Sequence, residues 1–320
     1  MKNFFVPVMS VLALTLAAGS AHAQSSSDRP LTLVVPFPAG STTDNVARKM
    51  AEYMRAKTGG TVLVDNKAGA DGNIAAQFVL RQPADGHTLF VTGNSVHGAN
   101  ANLYKQLPFD PIKDFESIGG VMTIPMVLTV KPDFPASNVS QFVAEAKKRT
   151  KPLFYATGNN STRGASELFK LRYNFPADHI PYKGSPQVVA DLLGGQFDFA
   201  FIDANTVRPF LQDGRLKGLT ITSEKRLASL PNIPTVAEEM PGFSFGAWVG
   251  VVVRQDTPAA VRTRLASLVD GYAKDAATVE YMTSINGATM PMSTRELTSF
   301  IAAETKTWAE IVRAANIEKK

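Results

Sequence analysis

Twice along this chain an apolar, β-rich run stops at a glycine, hydroxyl and amide side chains follow, and a helical pattern begins. Residues 31–50, LTLVVPFPAGSTTDNVARKM, do this at Gly40, and residues 153–169, LFYATGNNSTRGASELF, do it at Gly158. A chain that repeats strand, tight turn and helix in this way commits to βα units, with parallel strands covered by helices. The first turn of each such helix carries amide N–H groups without intrahelical partners, and the aligned peptide dipoles add partial positive charge there. Each turn is therefore either a capped helix start or an anion site: Ser41, Thr42 and Thr43, or Asn160, Ser161 and Thr162, suit both roles. Two such turns, far apart in sequence, fit one anion-binding turn in each of two lobes facing a shared cleft.

The rest of the chain extends the same alternation. Val46, Ala47, Met50, Ala51 and Met54 form one apolar helical face that ends at Gly59-Gly60. A strand over 61–64, a glycine-rich connection over 66–72, a helix whose apolar face includes Ile74, Phe78 and Val79, and a strand over 88–92 follow. Ligands of open α/β sheets sit beyond the carboxyl ends of the strands. The turns at Gly40, Gly69 and Gly93-Asn94-Ser95 share that edge, which adds Ser95 to the candidate residues. Residues 126–130, with Pro132 and Pro135 after them, read as a crossing between lobes. A second series begins with a helix over 139–149 and a strand over 153–156. It continues through a strand over 179–182, a helix capped by Ser185 with Pro186 at its first position, and a strand over 196–202 that leaves Asp203 at its carboxyl end. A buried strand over 249–253 returns the chain before helices over 258–272 and 295–315. The organisation expected is residues 24–130 and 247–320 in one lobe and 131–246 in the other, an arrangement suited to hinge closure.

The N-terminus carries Lys2, an apolar run over 4–18, and Ala21-His22-Ala23 before Gln24. That is the pattern of a cleavable secretory signal over residues 1–23, so the expected location is the periplasm, with a mature chain starting at Gln24. The absence of cysteine excludes both a disulfide framework and a lipid-anchored cysteine. With 320 residues, 44% of them hydrophobic, the chain can bury two sizeable cores. Its net charge of +5 is dispersed among acidic residues, which argues against nucleic-acid binding and favours encounter with small anions. His87, His97 and His179 lack metal-ligand spacing, no Gly-x-Ser-x-Gly elbow precedes a helix, and no Gly-Lys-Ser/Thr follows either turn. No metal or cofactor is expected.

Several motifs in one order carry a resemblance. They are Pro36-Phe37-Pro38-Ala39-Gly40 with Asp44, Asn66 before Gly69-Ala70 and Gly72, and Asp85-Gly86 before Thr88-Leu89. Further on come Pro181-Tyr182-Lys183-Gly184, Leu193-Gly194-Gly195-Gln196, Arg226, Leu230-Pro231 with Pro234-Thr235 and Glu238, and Trp248 with Gly250. Over essentially the whole mature length the chain resembles the periplasmic solute receptors of tripartite tricarboxylate transporters, also called Bug receptors. The resemblance implies a two-lobed Venus-flytrap α/β fold, each lobe a mixed, largely parallel sheet flanked by helices, and no catalytic activity. It implies a monomer that captures a small carboxylate, amino acid or amide. Membrane permease subunits, or a sensor kinase, would be the partner. It assigns ligand roles to Gly40, Ser41 and Thr42 in one lobe and to Asn159, Ser161 and Thr162 in the other, with Asp203 at a strand end facing the cleft.

Two departures bear on the solute. The family commonly has a second glycine where Ser41 stands, and often a histidine near Arg163-Gly164. Arg163 is either a bidentate carboxylate contact or a surface charge. Asp203 either accepts a hydrogen bond from a ligand or caps the helix after it. Phe37 either lies over a planar ligand or packs in the cleft wall; Lys183 is a surface charge or faces the cleft; Trp248 reads as hinge packing. The other function classes left open are a periplasmic hydrolase of a small anionic substrate and a solute sensor for a signalling partner.

Overall fold

The computed structural model describes residues 29–182 and 184–320, so the signal segment, the start at Gln24 and Lys183 lie outside the described residues. Strand β1 (Leu31–Val35) turns at Gly40, whose φ of +82° is one that glycine adopts freely, into α1 (Thr42–Thr58). Val46, Ala47, Met50, Ala51 and Met54 are all fully buried, as the helical spacing requires. Strand β2 (Val62–Asn66), α2 (Asn73–Leu80) and β3 (Thr88–Gly93) continue the series, and β1 pairs in parallel with both β2 and β3. After β3 comes a π-helical segment, Asn94–Ala99, where the sequence pattern indicates only a turn, and it runs into α3 (Asn100–Leu103).

Strand β4 (Phe115–Val130) is 16 residues long, much longer than the 126–130 segment legible in sequence. Gly119, Gly120 and Pro125 read as breakers. In the fold, register shifts occur between Ser117 and Gly119 and between Gly120 and Met122, where the ladder with a neighbouring strand accommodates them. The second series is α4 (Val139–Lys148), β5 (Leu153–Thr157), α5 (Asn160–Tyr173), β6 (Ala177–Pro181) and α6 (Ser185–Leu193). It continues with β7 (Phe199–Asp203), α7 (Ala204–Gln212), β8 (Lys217–Ile221) and α8 (Val236–Glu239). The chain then returns through β9 (Gly246–Arg254), α9 (Ala259–Lys274), α10 (Ala276–Ser284), the two-residue β10 (Ala288–Thr289) and α11 (Thr294–Ala314).

The strand order is β2-β1-β3-β9-β4-β7-β5-β6, with β8 and β10 also pairing with β4. Phe115–Pro125 of β4 pairs with β9 and β10, and its last five residues pair with β7 and β8. Every pairing that involves β4 or β9 is antiparallel and every other pairing is parallel. The mixed sheets follow from this: βα units demand parallel neighbours, and the two crossing strands run against them.

One core gathers Leu33, Met50, Leu89, Val251, Leu265 and Tyr272; the other is built around Phe142, which touches Phe134, Phe169, Phe175 and Phe199. Aromatic pairs of this kind add roughly 0.5–1.5 kcal/mol each beyond burial. Leu103, Trp308 and Ile311 join that second core, so α3 and the last helix pack on it too. The result is a two-lobed α/β fold with mixed sheets and flanking helices. Among the described residues no helix is long and apolar enough to cross a membrane.

Candidate functional site

The carboxyl ends of β1, β3 and β7 open into a cleft of ≈ 200 Å³. Its wall combines Phe37 and Ser41-Thr42-Thr43 from the first turn with Gly93-Asn94-Ser95 after β3. Met122 and Ile124 of β4, Ala247-Trp248-Val249 of β9, Asn159 before α5 and Asp203 after β7 complete it. Six of the sequence-predicted residues therefore meet in one place: Phe37, Ser41, Thr42, Ser95, Asn159 and Asp203. Gly40, Ser161, Thr162 and Arg163 are not in that wall.

The first turn is organised by Asp44. Ser41 caps α1, its Oγ accepting from Asp44 N at 3.2 Å, and Gly40 N donates to Asp44 Oδ2 at 2.8 Å. Arg48 Nε (3.0 Å) and Asn66 Nδ2 (2.9 Å) also reach this carboxylate, and Asn66 Nδ2 ties in Phe37 O. Burial pushes the Asp44 carboxyl up, but the bonds from Arg48, Gly40 and Asn66 outweigh it and hold the group below its ordinary value. The Gly40 amide is thus already engaged. The amides of Thr42 and Thr43, the first two positions of α1, have no acceptor among the described residues.

The second turn is organised without a carboxylate. Asn159 Oδ1 accepts from Thr162 N at 2.9 Å, and Thr162 Oγ1 accepts from Gly158 N and Asn159 N at 3.2 Å each. Thr162 Oγ1 also donates to Asn159 O at 3.0 Å, so the buried Thr162 hydroxyl serves the cap. The amides of Asn160 and Ser161 have no acceptor among the described residues, and Asn160 Nδ2 and Arg163 Nε are buried donors without one. Arg163 lies close enough to Tyr155 and His179 to influence both. A Cβ on Gly158 would come within 2.4 Å of Ser185 N, so the turn abuts the start of α6 and glycine is required there.

That start differs from expectation. Gly184, not Ser185, occupies the cap position of α6, and Ser185 Oγ instead donates to Asp203 Oδ2 at 3.3 Å. Asp203 stands at the N-cap position of α7 without making a side-chain cap bond. Its carboxyl is turned to the cleft and to Ser185. Burial raises its pKa above the ordinary value, and the Ser185 hydroxyl and its own backbone N–H only partly offset that. His97 and His179 are pushed down to about 3 and about 4, burial being the first cause in each, so both are neutral at pH 7. Each bonds a threonine, His97 Nδ1 to Thr92 Oγ1 and His179 Nε2 to Thr157 Oγ1, both at 2.7 Å, while His97 Nε2 is buried without a partner among the described residues.

Sequence reasoning missed Glu304 and the bonds that tie it to Asn94 and Trp248. Asn94 Oδ1 accepts from Trp248 N at 3.0 Å, while Asn94 Nδ2 and Trp248 Nε1 both donate to Glu304 Oε2, at 2.9 and 3.2 Å. Asn94, a polar residue directly after a strand, and Trp248 carried local signals; Glu304 carried none. Trp248 lines the cleft wall.

Residues 46–317 match the model of the tripartite tricarboxylate transporter family receptor. The chain belongs to this family. Members are solute-binding receptors of the periplasm and not enzymes. Protein BugT of Bordetella pertussis is 30% identical over 322 residues, covering 98% of each chain. Among solved structures, Rpa4515 of R. palustris with adipate superimposes with a TM-score of 0.79 at 29% identity, covering 91% of this chain and 99% of that one. MatC of Rhodopseudomonas palustris with bound malate gives a TM-score of 0.74 at 27% identity, covering 89% and 99%. In this receptor, then, the cleft between the helix starts is the place where fold and chemistry coincide.

Proposed function

We propose that this receptor is a periplasmic protein, released from a signal segment over residues 1–23, that clamps a small organic carboxylate between the starts of α1 and α5. The lobes are residues 24–130 with 247–320, and 131–246. The observation that carries this reading is the cleft itself, in which Ser41, Thr42 and Thr43 stand across from Asn159 and Asp203. Helix starts with free amides attract a carboxylate, and the cavity is small enough to suit a metabolite.

Asp203 sets the character of the far end. A carboxyl that burial makes harder to ionise, with one hydroxyl for a partner, favours a ligand group that donates a hydrogen bond: an amine, an amide or a hydroxyl. A second carboxylate there would need a cation, and Arg163 is not in the wall. The structures with adipate and malate set the comparison, because malate carries a hydroxyl and adipate does not. The loaded receptor would then present its solute to permease subunits of a tripartite tricarboxylate transporter.

Calorimetry on the mature protein with adipate, malate, an acidic amino acid, its amide and a simple monoacid tests this. The expected ranking puts ligands with a donor at the second end first, and Asp203→Asn should reorder it. A ranking that Asp203→Asn leaves unaltered refutes the role of Asp203. Absence of binding by every carboxylate refutes the reading as a whole.

A further inference from the structure

A second cavity, of ≈ 640 Å³, lies on the other side of the crossing strands. Side chains alternate between the two faces of a strand. Met122 and Ile124 of β4 line the solute cleft, whereas Thr123 and Pro125 line the larger cavity; on β9 Ala247 and Val249 face the first and Gly246 the second. Among the described residues only Trp248 borders both. The larger cavity is closed on its other sides by the loop after β8, by the β10 region and by α11.

Its lining is largely apolar and aromatic, with the hydroxyls of Thr123, Thr222, Ser223 and Ser244 and one half-buried acid, Glu304. Trp248 and Phe300 meet edge to face, ring centroids 5.3 Å apart at 81°, and Met290 and Met292 continue the wall. Glu304 enters from α11. Its Oε2 accepts the bonds from Asn94 and Trp248, and its Oε1 has no partner among the described residues. Burial pushes the Glu304 carboxyl up to about 7, the Trp248 bond only partly offsetting it. The other charges on the lining are Glu224, Lys225 and Arg226 of the loop after β8; Arg226 is held by Glu238, and the adjacent Glu224 and Lys225 are opposite in sign. His97, behind α11, is neutral. Among the described residues no cation is paired with Glu304.

We propose that this cavity is a second small-molecule site, which takes an organic ammonium whose charge pairs with Glu304 Oε1 and whose apolar part lies along Trp248, Phe300, Met290 and Met292. An ammonium satisfies the open carboxylate oxygen, gains from the faces of the two rings, and buries its alkyl part against the methionines. Ligand and proton compete for Glu304. The site is open to test independently of the solute cleft.

The probe is hexylammonium, with hexanol and hexanoate as controls of matched length, followed by calorimetry and tryptophan fluorescence on the intact protein. Hexylammonium should bind at least tenfold more tightly than either control. Its affinity should fall roughly tenfold from pH 8 to pH 6, because Glu304 protonates while the amine stays charged. Glu304→Gln, which keeps the shape and an acceptor for Asn94 and Trp248, should abolish both the preference and the pH dependence, and Phe300→Ala should weaken binding several-fold. Asp203→Asn, in the solute cleft, should leave hexylammonium binding unchanged. Equal binding of hexanol, an unaltered affinity in Glu304→Gln, or loss of binding in Asp203→Asn alone would each overturn the proposal, whatever the fate of the carboxylate reading.

Discussion

The starts of α1 and α5 are nearly the same sentence in sequence and differ in one word. Both follow a strand and a glycine, and both are capped by a polar residue. Yet α1 places Asp44 in its first turn, where its carboxylate takes the Gly40 amide and pairs with Arg48, whereas α5 has no acid in its first turn. At α1 the chain itself supplies part of the negative charge that a helix start attracts. Each start leaves two amides without acceptors among the described residues, and α5 adds the side-chain donors Asn160 Nδ2 and Arg163 Nε. The lesson is that a helix start is judged as an anion site by what the chain has already placed there, and α5 should be the stronger half of the clamp.

The largest effect expected from this difference is on stability. Asp44→Ala should lower the free energy of unfolding by about 1–3 kcal/mol in urea melts, since it takes the buried acceptor away from the donors of Gly40 and Asn66 and removes the partner of Arg48. Arg48 is half exposed, which keeps the effect below that of a fully buried pair. Because the folded carboxyl is held below 3.8, its contribution is present above that pH and is lost as the pH falls through the folded value. The variant should therefore lose less stability on acidification than the wild type.

Next in size is affinity. Proline is tolerated at the first position of a helix, where it removes one amide donor without removing an intrahelical bond. The preceding residues, Asn159 and Ser41, are both extended, as a residue before proline prefers to be. Asn160→Pro should weaken solute binding by roughly 10- to 100-fold relative to Asn160→Ala, and Thr42→Pro by no more than about fivefold relative to Thr42→Ala. Calorimetry on the four variants decides it, and the reverse order would break the comparison.

The smallest effect concerns Asp203 without ligand. Its folded pKa is raised, so its protonated form stabilises the fold at low pH and that contribution fades as the pH rises from the unfolded value through the folded one. Asp203→Asn should flatten the stability profile over that window by melting temperature. A steeper decline in the variant would mean that the carboxylate has a cationic partner.

Much of this was legible in sequence because glycine at a strand–helix junction is a local signal. Gly40 and Gly158 mark both turns, and the strand-end position of Asp203 could be counted along the chain. What escaped was non-local. Asn94 and Glu304 are 210 positions apart, and nothing near either residue announces the other. The Ser185–Asp203 bond spans two βα units, so Ser185 looks like a cap when read alone. The first half of β4 was hidden by Gly119, Gly120 and Pro125, whose breaker character is overridden by the neighbouring ladder.

The place of β9 between β3 and β4 governs the order in which the protein can be assembled. All strands of the second sheet lie between residues 115 and 221, so it can form from one contiguous stretch of chain. The first sheet cannot join β3 to β4 until residues 246–254 arrive. Until then β2, β1 and β3 form a ribbon in which the inner flank of β3 is unpaired as well as the outer edge of β2, and such an edge invites a strand from another molecule. Slow delivery of β9, or substitutions that weaken its Val251–Val253 run, should therefore show first as aggregation during refolding and only later as loss of solute binding.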